Sequence, residues 1–170
     1  MDETRWLDDD ERAAWQRFAA VLELLPAALN AQLERDEQLN HVDYYSLAML
    51  SEAPRRTLRT TELAVRTNAT LPRLSRVINR LADAGYVRRE PCPGDRRATN
   101  LVLTDAGWAK VVHAAPGHVH NVRELVIDAL SAEQLSQLSE ISIRLLEVLD
   151  PERRMSAHQH AGSSPAAPPS

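Results

Sequence analysis

Residues 60–107 read TTELAVRTNATLPRLSRVINRLADAGYVRREPCPGDRRATNLVLTDAG. Local signals divide this stretch into four pieces. Thr60 or Thr61 can cap a short helix over Thr61–Thr67, and Glu62 in its first turn suits the positive end of the helix dipole. Asn68-Ala69-Thr70 is a break: Asn68 suits the left-handed position after a helix, and Thr70 can cap the next one. That next helix runs over Leu71–Ala84. Pro72 is tolerated there because a first-turn N–H has no intrahelical partner to lose. Gly85 stops it. Tyr86–Glu90 and Ala98–Leu103 then alternate as half-buried strands around a charged tip, Pro93-Gly94-Asp95-Arg96-Arg97.

On the second helix, Leu74, Ile78 and Leu81, with Val77 alongside, form the inward stripe. Arg73, Ser75, Arg76, Asn79 and Arg80 are left facing out. Helix, turn, helix and hairpin in this order make a helix-turn-helix followed by a wing. An arginine can grip the O6 and N7 of guanine with both arms. Arg76 and Arg80, four apart on one side, are expected to divide base and phosphate contacts between them. Arg96 or Arg97 at the tip suits a narrow minor groove, and Asp95 can pair locally with Arg97.

The charge distribution points the same way. The chain has 170 residues and a net charge of −4. Between Arg55 and Arg97, however, eleven arginines face four acids. This segment carries +7, which leaves −11 for the rest. Segregation of this kind is the footprint of polyanion binding on one face. A solvated surface with scattered ion pairs is the blander alternative.

The flanks read as helices. Residues 8–39 open on a capping box, Asp8 with Glu11, and carry Trp15, Phe18, Leu22, Leu25, Leu29 and Leu33 on one face. Pro26 should kink this helix. Asp43 can cap a second helix over Tyr44–Ala53, whose apolar face is Tyr45, Leu47, Ala48 and Met49. Pro54 ends it, and residues 55–59 are a candidate third strand. After the wing, Thr104-Asp105 caps a helix over roughly 105–129, expected to break near Pro116-Gly117. Ser131 with Gln134 forms the capping box of the last helix, with Leu135, Leu138, Ile141, Leu145 and Leu149 as its stripe. The fold class is mostly α (α+β). Residues 1–7 form an N-terminal arm, 8–150 one domain with a DNA-binding lobe at 55–104, and 151–170 a tail with the composition of a disordered segment. The stripes at 8–39 and 105–150 exceed what one small domain can cover, so part of them should pack on a partner subunit.

Several classes are disfavoured. No apolar run approaches the ~18–20 residues of a membrane span. The acidic N-terminus has no signal core, and a single Cys fits a reducing cytoplasm. No glycine-rich phosphate loop or nucleophile constellation supports an enzyme, and no cofactor or metal is expected.

With these residues in place, the chain resembles the MarR family of transcription regulators over about residues 6–150. Asp95-x-Arg97 followed by Leu103-Thr104-x-x-Gly107 matches the wing signature of that family, and LSRVINRLADAGYVRREPCPGDRR its recognition helix. The resemblance implies a winged-helix homodimer, with residues 8–39 and 105–150 as dimerisation helices. It also implies binding to a pseudo-palindromic double-stranded operator, most often as a repressor. The DNA-facing set would be Thr61, Pro72, Arg73, Ser75, Arg76, Asn79, Arg80, Arg88, Asp95, Arg96 and Arg97. Such proteins commonly answer to a small phenolic or anionic effector, for which Trp15, His41, Tyr44 and Tyr45 are candidate lining residues; simple core packing is the competing role. Two other readings stand beside this one: a winged helix that binds a protein partner, and a zinc-responsive regulator using His113, His118, His120 and His41. Some relatives sense peroxides through a cysteine near the first long helix. The one cysteine here, Cys92, is at the wing and reads as a bystander.

Overall fold

The computed structural model describes residues 4–92 and 95–155, with the backbone alone for 95–97. Helix α1 (Asp9–Glu37) opens with the expected box: Asp8 accepts from the Glu11 amide, and the Glu11 side chain accepts from the Asp8 amide. It runs through Pro26 as one helix. Helix α2 spans His41–Glu52 and is capped by Asn40, whose Oδ1 accepts from the Asp43 amide at 2.8 Å. Asp43 is therefore not the cap. It lies one turn inside, buried, with its carboxylate committed elsewhere. The inward face of α2 is Tyr44, Ser46, Leu47 and Leu50, while Tyr45, Ala48 and Met49 are only half buried. The helix starts three residues earlier than expected, at His41 rather than Tyr44.

A short 3-10 turn (Pro54–Arg56) leads into β1 (Thr57–Arg59). Arg55 and Arg56 both have positive φ, 54° and 52°. Arg56 is held there by a stack on Trp108, 4.1 Å from guanidinium to ring centre, and by Asp105 at 3.4 Å. Helix α3 (Thr60–Arg66) has no side-chain cap. Thr60 instead donates its hydroxyl to the Thr99 carbonyl (3.1 Å), tying the helix start to the sheet. Asn68 is left-handed (φ 47°), and Thr70 caps α4 (Leu71–Asp83) by accepting from Arg73, both as expected. Gly85, at φ +76°, ends α4.

Strands β2 (Val87–Cys92) and β3 (Asp95–Leu103) form the wing hairpin. β1 adds antiparallel to the far side of β3, with Leu58 opposite Leu101, for a sheet order of β1-β3-β2. The candidate third strand is thus present. Helix α5 (Asp105–Val122) follows under a Thr104 cap. It does not break at Pro116-Gly117. One proline removes one hydrogen bond from a helix otherwise held by packing, and Gly117 lies close against Gln32 of α1. The irregularity falls later, as a π turn over Arg123–Ile127. Helix α6 (Ala132–Leu149) begins with the predicted Ser131/Gln134 box.

The core joins α1, α2, α3, α4, α5 and the sheet. Leu33, Leu47, Leu50, Leu63, Leu74, Ile78, Leu81 and Leu101 are fully buried in it, each worth ~1.5–3 kcal/mol of transfer free energy. The Pro93-Gly94 tip and residues 1–3 and 156–170, which include most of the expected disordered tail, lie outside the described residues.

The joint between wing and helix frame is unusually tight. A Cβ on Gly107 would come within 2.2 Å of the Tyr86 carbonyl oxygen and 2.7 Å of Leu103 Cδ1. Gly107→Ala should therefore cost ~2–3 kcal/mol or more and lower the thermal midpoint by roughly 5–10 °C. Gly85→Ala meets nothing within 4 Å and carries only the left-handed penalty, ~1 kcal/mol. Melting curves that rank the two variants the other way would contradict this account.

Candidate nucleic-acid interface

Helix α4 is amphipathic along its length. Leu74, Val77, Ile78 and Leu81 are buried, and this seating exposes Pro72, Arg73, Ser75, Arg76, Asn79 and Arg80 on the other side. Arg73 and Arg76 line a hollow of about 590 Å³ with Asn30, Asn40 and the cap residue Thr70, and Arg80, already bound to Asp43, lies on its wall. Donors converge there on a space open to solvent, beside a helix N-terminus. That combination suits a phosphate.

The arginines of the segment fall into distinct roles. Arg73 and Arg76 have no ion-pair partner among the described residues. Arg80 is bound to Asp43 at 2.7 Å, Arg88 to Glu90 at 2.8 Å on the same strand, and Arg89 donates to Asn79 Oδ1 at 2.6 Å. Arg66 is internal, 8% exposed, and paired with Glu62 at 2.6 Å. The raw +7 therefore overstates the free charge. On α4 itself the unpaired arginines, Arg73 and Arg76, lie on its first half; Arg55 ahead of β1 and Arg59 at its end are likewise exposed with no ion pair among the described residues. Thr61 is exposed at the start of α3. The side chains of Asp95, Arg96 and Arg97, and with them the predicted Asp95–Arg97 pair, lie outside the described residues.

Of the four candidate effector residues, three come together. His41 stacks on Tyr45 (6.2 Å between centroids, 6° between planes), and Tyr44 lies one residue away on the same helix. Trp15 is not with them. It packs on Phe18, fifteen residues up α1 from Asn30, whose Oδ1 accepts from the His41 amide; that is about 22 Å along the axis. His118 of α5 takes its place, 4.6 Å from Tyr44 and 6.2 Å from His41. In sequence, His118 groups with His113 and His120. In the fold these go three ways: His113 to Glu37 (3.1 Å), His120 toward Glu124 (3.6 Å), and His118 to the Tyr44/His41 cluster. No group of three metal-ligand side chains is gathered among the described residues. Glu37, buried and missed by sequence reading, is held by Lys110 at 2.7 Å and His113. Burial works against its charge, but those two donors outweigh it and leave its pKa lowered. Cys92 is buried at the end of β2.

Two comparisons bear on this geometry. The MarR-family sequence profile matches residues 37–98, which hold the whole helix-turn-helix and the first wing strand. Sco3205 of Streptomyces coelicolor, a MarR-family transcriptional regulator solved in complex with DNA, is 44% identical. The alignment covers 89% of this chain and 94% of that one, with a TM-score of 0.84. The chain belongs to the MarR family. Among curated relatives, PecS of Dickeya dadantii is 39% identical over 61 residues, 36% of each chain. The repressor MprA of Escherichia coli is 26% identical over 112 residues, 66% of this chain and 63% of MprA. The matched segments thus span less than two thirds of either curated relative. These relatives are transcription regulators, in keeping with the lack of enzyme motifs. No helix among the described residues is long and apolar enough to cross a membrane.

The histidine pair gives this MarR-family chain a measurable pH signature. Burial lowers the pKa of both His41 and His118, and the proximity of His41 lowers that of His118 further. A histidine lowered in the folded state binds its proton more readily when unfolded. Its stabilising contribution is therefore complete above the ordinary value of 6.5 and is lost as pH falls through the folded pKa. Urea midpoints should drop between pH 7.5 and 5.5, and His118→Phe, which keeps a ring against Tyr44, should flatten the drop. Equal slopes in wild type and variant would rule out this assignment.

Proposed function

We propose that the protein is a homodimeric, sequence-specific binder of double-stranded DNA that represses transcription and responds to a small phenolic or anionic effector. The carrying observation is the exposed Arg73/Arg76 face of α4, presented rigidly by four buried apolar side chains on the opposite face. Sco3205, which shares this architecture at 44% identity, is seen on DNA, and MprA is a repressor. A module that docks on a protein would instead present an apolar or acidic surface on α4.

The dimer reading rests on uncovered apolar area. Helix α6 has no buried residue, with Leu138, Ile141, Ile143 and Leu145 all exposed. The first half of α1 likewise exposes Trp15, Phe18, Val21 and Leu22. Isolated monomers rarely leave so much apolar surface in water. A two-fold pair of these helices would set two α4 helices about one DNA turn apart, ~34 Å. The effector reading rests on the His41/Tyr44/Tyr45/His118 cluster, where stacking rings and polar edges suit a phenol.

Gel shifts on the upstream DNA of the gene should show binding that weakens steeply with salt. Arg76→Ala should lose ~10- to 100-fold of discrimination at one base pair, and Arg97→Ala should weaken all duplexes alike. Identical losses across every sequence for both would contradict the division of roles. Sedimentation should give twice the 19.0 kDa chain mass, and Ile141→Asp should return the monomer.

A further inference from the structure

Arg80 stands in the outward row of α4, four residues after Arg76, yet its guanidinium is not free. Nη2 lies 2.7 Å from Asp43 Oδ1, and Nε 3.4 Å from Oδ2. The two partners are unequally placed. The Asp43 side chain is 9% exposed, whereas that of Arg80 is 51% exposed. A carboxylate taken out of water must be compensated, and among the described residues no side chain other than Arg80 donates to it. Arg80, half in water, has no comparable need of Asp43.

The pair spans 37 residues of sequence and ties α4 to the first turn of α2. On the neighbouring residue, Asn79 accepts from Arg89 of β2 at 2.6 Å. The second half of the outward face is thus held from two sides. The first half, with Arg73 and Arg76, carries no ion pair among the described residues.

We infer that Asp43 is a positioning residue for DNA recognition. It holds Arg80 back from the phosphates and sets the angle at which α4 presents Arg73 and Arg76. The inference rests on the DNA-binding reading above. An arginine released at this point would be a sequence-blind charge, free to seek any phosphate. Holding it keeps affinity for arbitrary duplex low while the two unpaired arginines discriminate.

The test uses the full chain, a duplex selected by the wild type from a random pool, and a scrambled duplex of equal length. Asp43→Ala removes a buried charge, and the released Arg80 is already half hydrated, so this variant folds. Its selected-to-scrambled affinity ratio should fall ~5-fold or more, with scrambled affinity unchanged or higher. Its salt slope should steepen by ~1.8 for the bound dimer, ~0.9 for the one further phosphate reached by each protomer. Asp43→Glu should restore the ratio to within about twofold, and Arg80→Gln in the Asp43→Ala background should abolish the steepening.

A second measurement needs no DNA. Arg80→Gln alone strands the buried carboxylate, so it should melt lower than the Asp43→Ala/Arg80→Gln double variant. If the wild type selects no duplex, the DNA reading fails and takes the inference with it, while the melting order still reports on the pair. If the wild type selects but Asp43→Ala leaves ratio and slope unchanged, the inference alone is overturned. It is also overturned if Arg80→Gln relaxes the same single base pair whether residue 43 is Asp or Ala, because Arg80 would then be a base reader.

Discussion

The contact on which the architecture depends is the one between Gly107 and the backbone of Tyr86. Three elements meet there. Gly85 and Tyr86 end the recognition helix and open the wing, and Thr104 to Gly107 close the wing and start α5. Thr104 caps α5 through the Gly107 amide (3.0 Å), while its hydroxyl faces the carbonyls of Gly85 (2.7 Å) and Tyr86 (3.1 Å). The Thr104 amide also donates to Tyr86 (3.0 Å). One threonine thus serves as helix cap and as clamp on the strand opposite. With no Cβ at 107, α5 can begin directly against that strand. The leucine–threonine–x–x–glycine motif is therefore a joint, and it makes the angle between the lobe and α5 a property of the backbone.

On the proposed reading, a rigid joint matters because the charged face works by orientation. Eleven arginines in 43 residues suggest a diffuse positive surface. Side-chain contacts redistribute it: Arg66 is internal, Arg56 braces the turn before β1, and Arg80 through Asp43 and Arg89 through Asn79 anchor the far half of α4. What remains unpaired on α4 is a short patch beside its N-terminus, where the helix dipole adds to the field. A smaller, oriented charge set discriminates between sequences better than a larger mobile one. Mobile cations gain nearly the same free energy from any phosphate, whereas fixed ones gain only where donors and base edges coincide.

The parts of this design that were legible in the sequence are those with local causes. The caps at Asp8, Thr70, Thr104 and Ser131, the left-handed Asn68 and the α4 stripe all follow from residues within one or two turns of each other. The resemblance in the wing rested on residues only 12 positions apart, Asp95 to Gly107. What was illegible depends on pairs distant in the chain. Asp43 has the composition of a cap, and only the fold shows that Asn40 caps instead and that Asp43 meets Arg80. His118 sits among other histidines in sequence, yet packs on Tyr44 from another helix. The expected break at Pro116 failed for the same reason, since packing of α5 on α1 and α2 outweighs one missing hydrogen bond. Trp15 was grouped with the effector residues by type alone, and the length of α1 separates them.

The uncovered helices complete the physical argument. α6 contributes no side chain to the core of its own chain, and Val148 and Leu149 are each 78% exposed. Helical propensity alone leaves a helix of this length marginal in water. Its stripe recurs at helical spacing over four turns, a pattern without use on a solvated surface. The same holds for the first half of α1, where Trp15 and Phe18, their rings tilted against each other, are 54% and 40% exposed. Two such stripes on one chain, one on α1 ahead of the lobe and one on α6 beyond the Thr104–Gly107 joint, are what a self-complementary two-fold interface requires. On that view the lobe's orientation is set twice, once by the joint within a chain and once by the pairing of chains. The Asp43–Arg80 bridge is the link that carries this orientation to the reading face of α4.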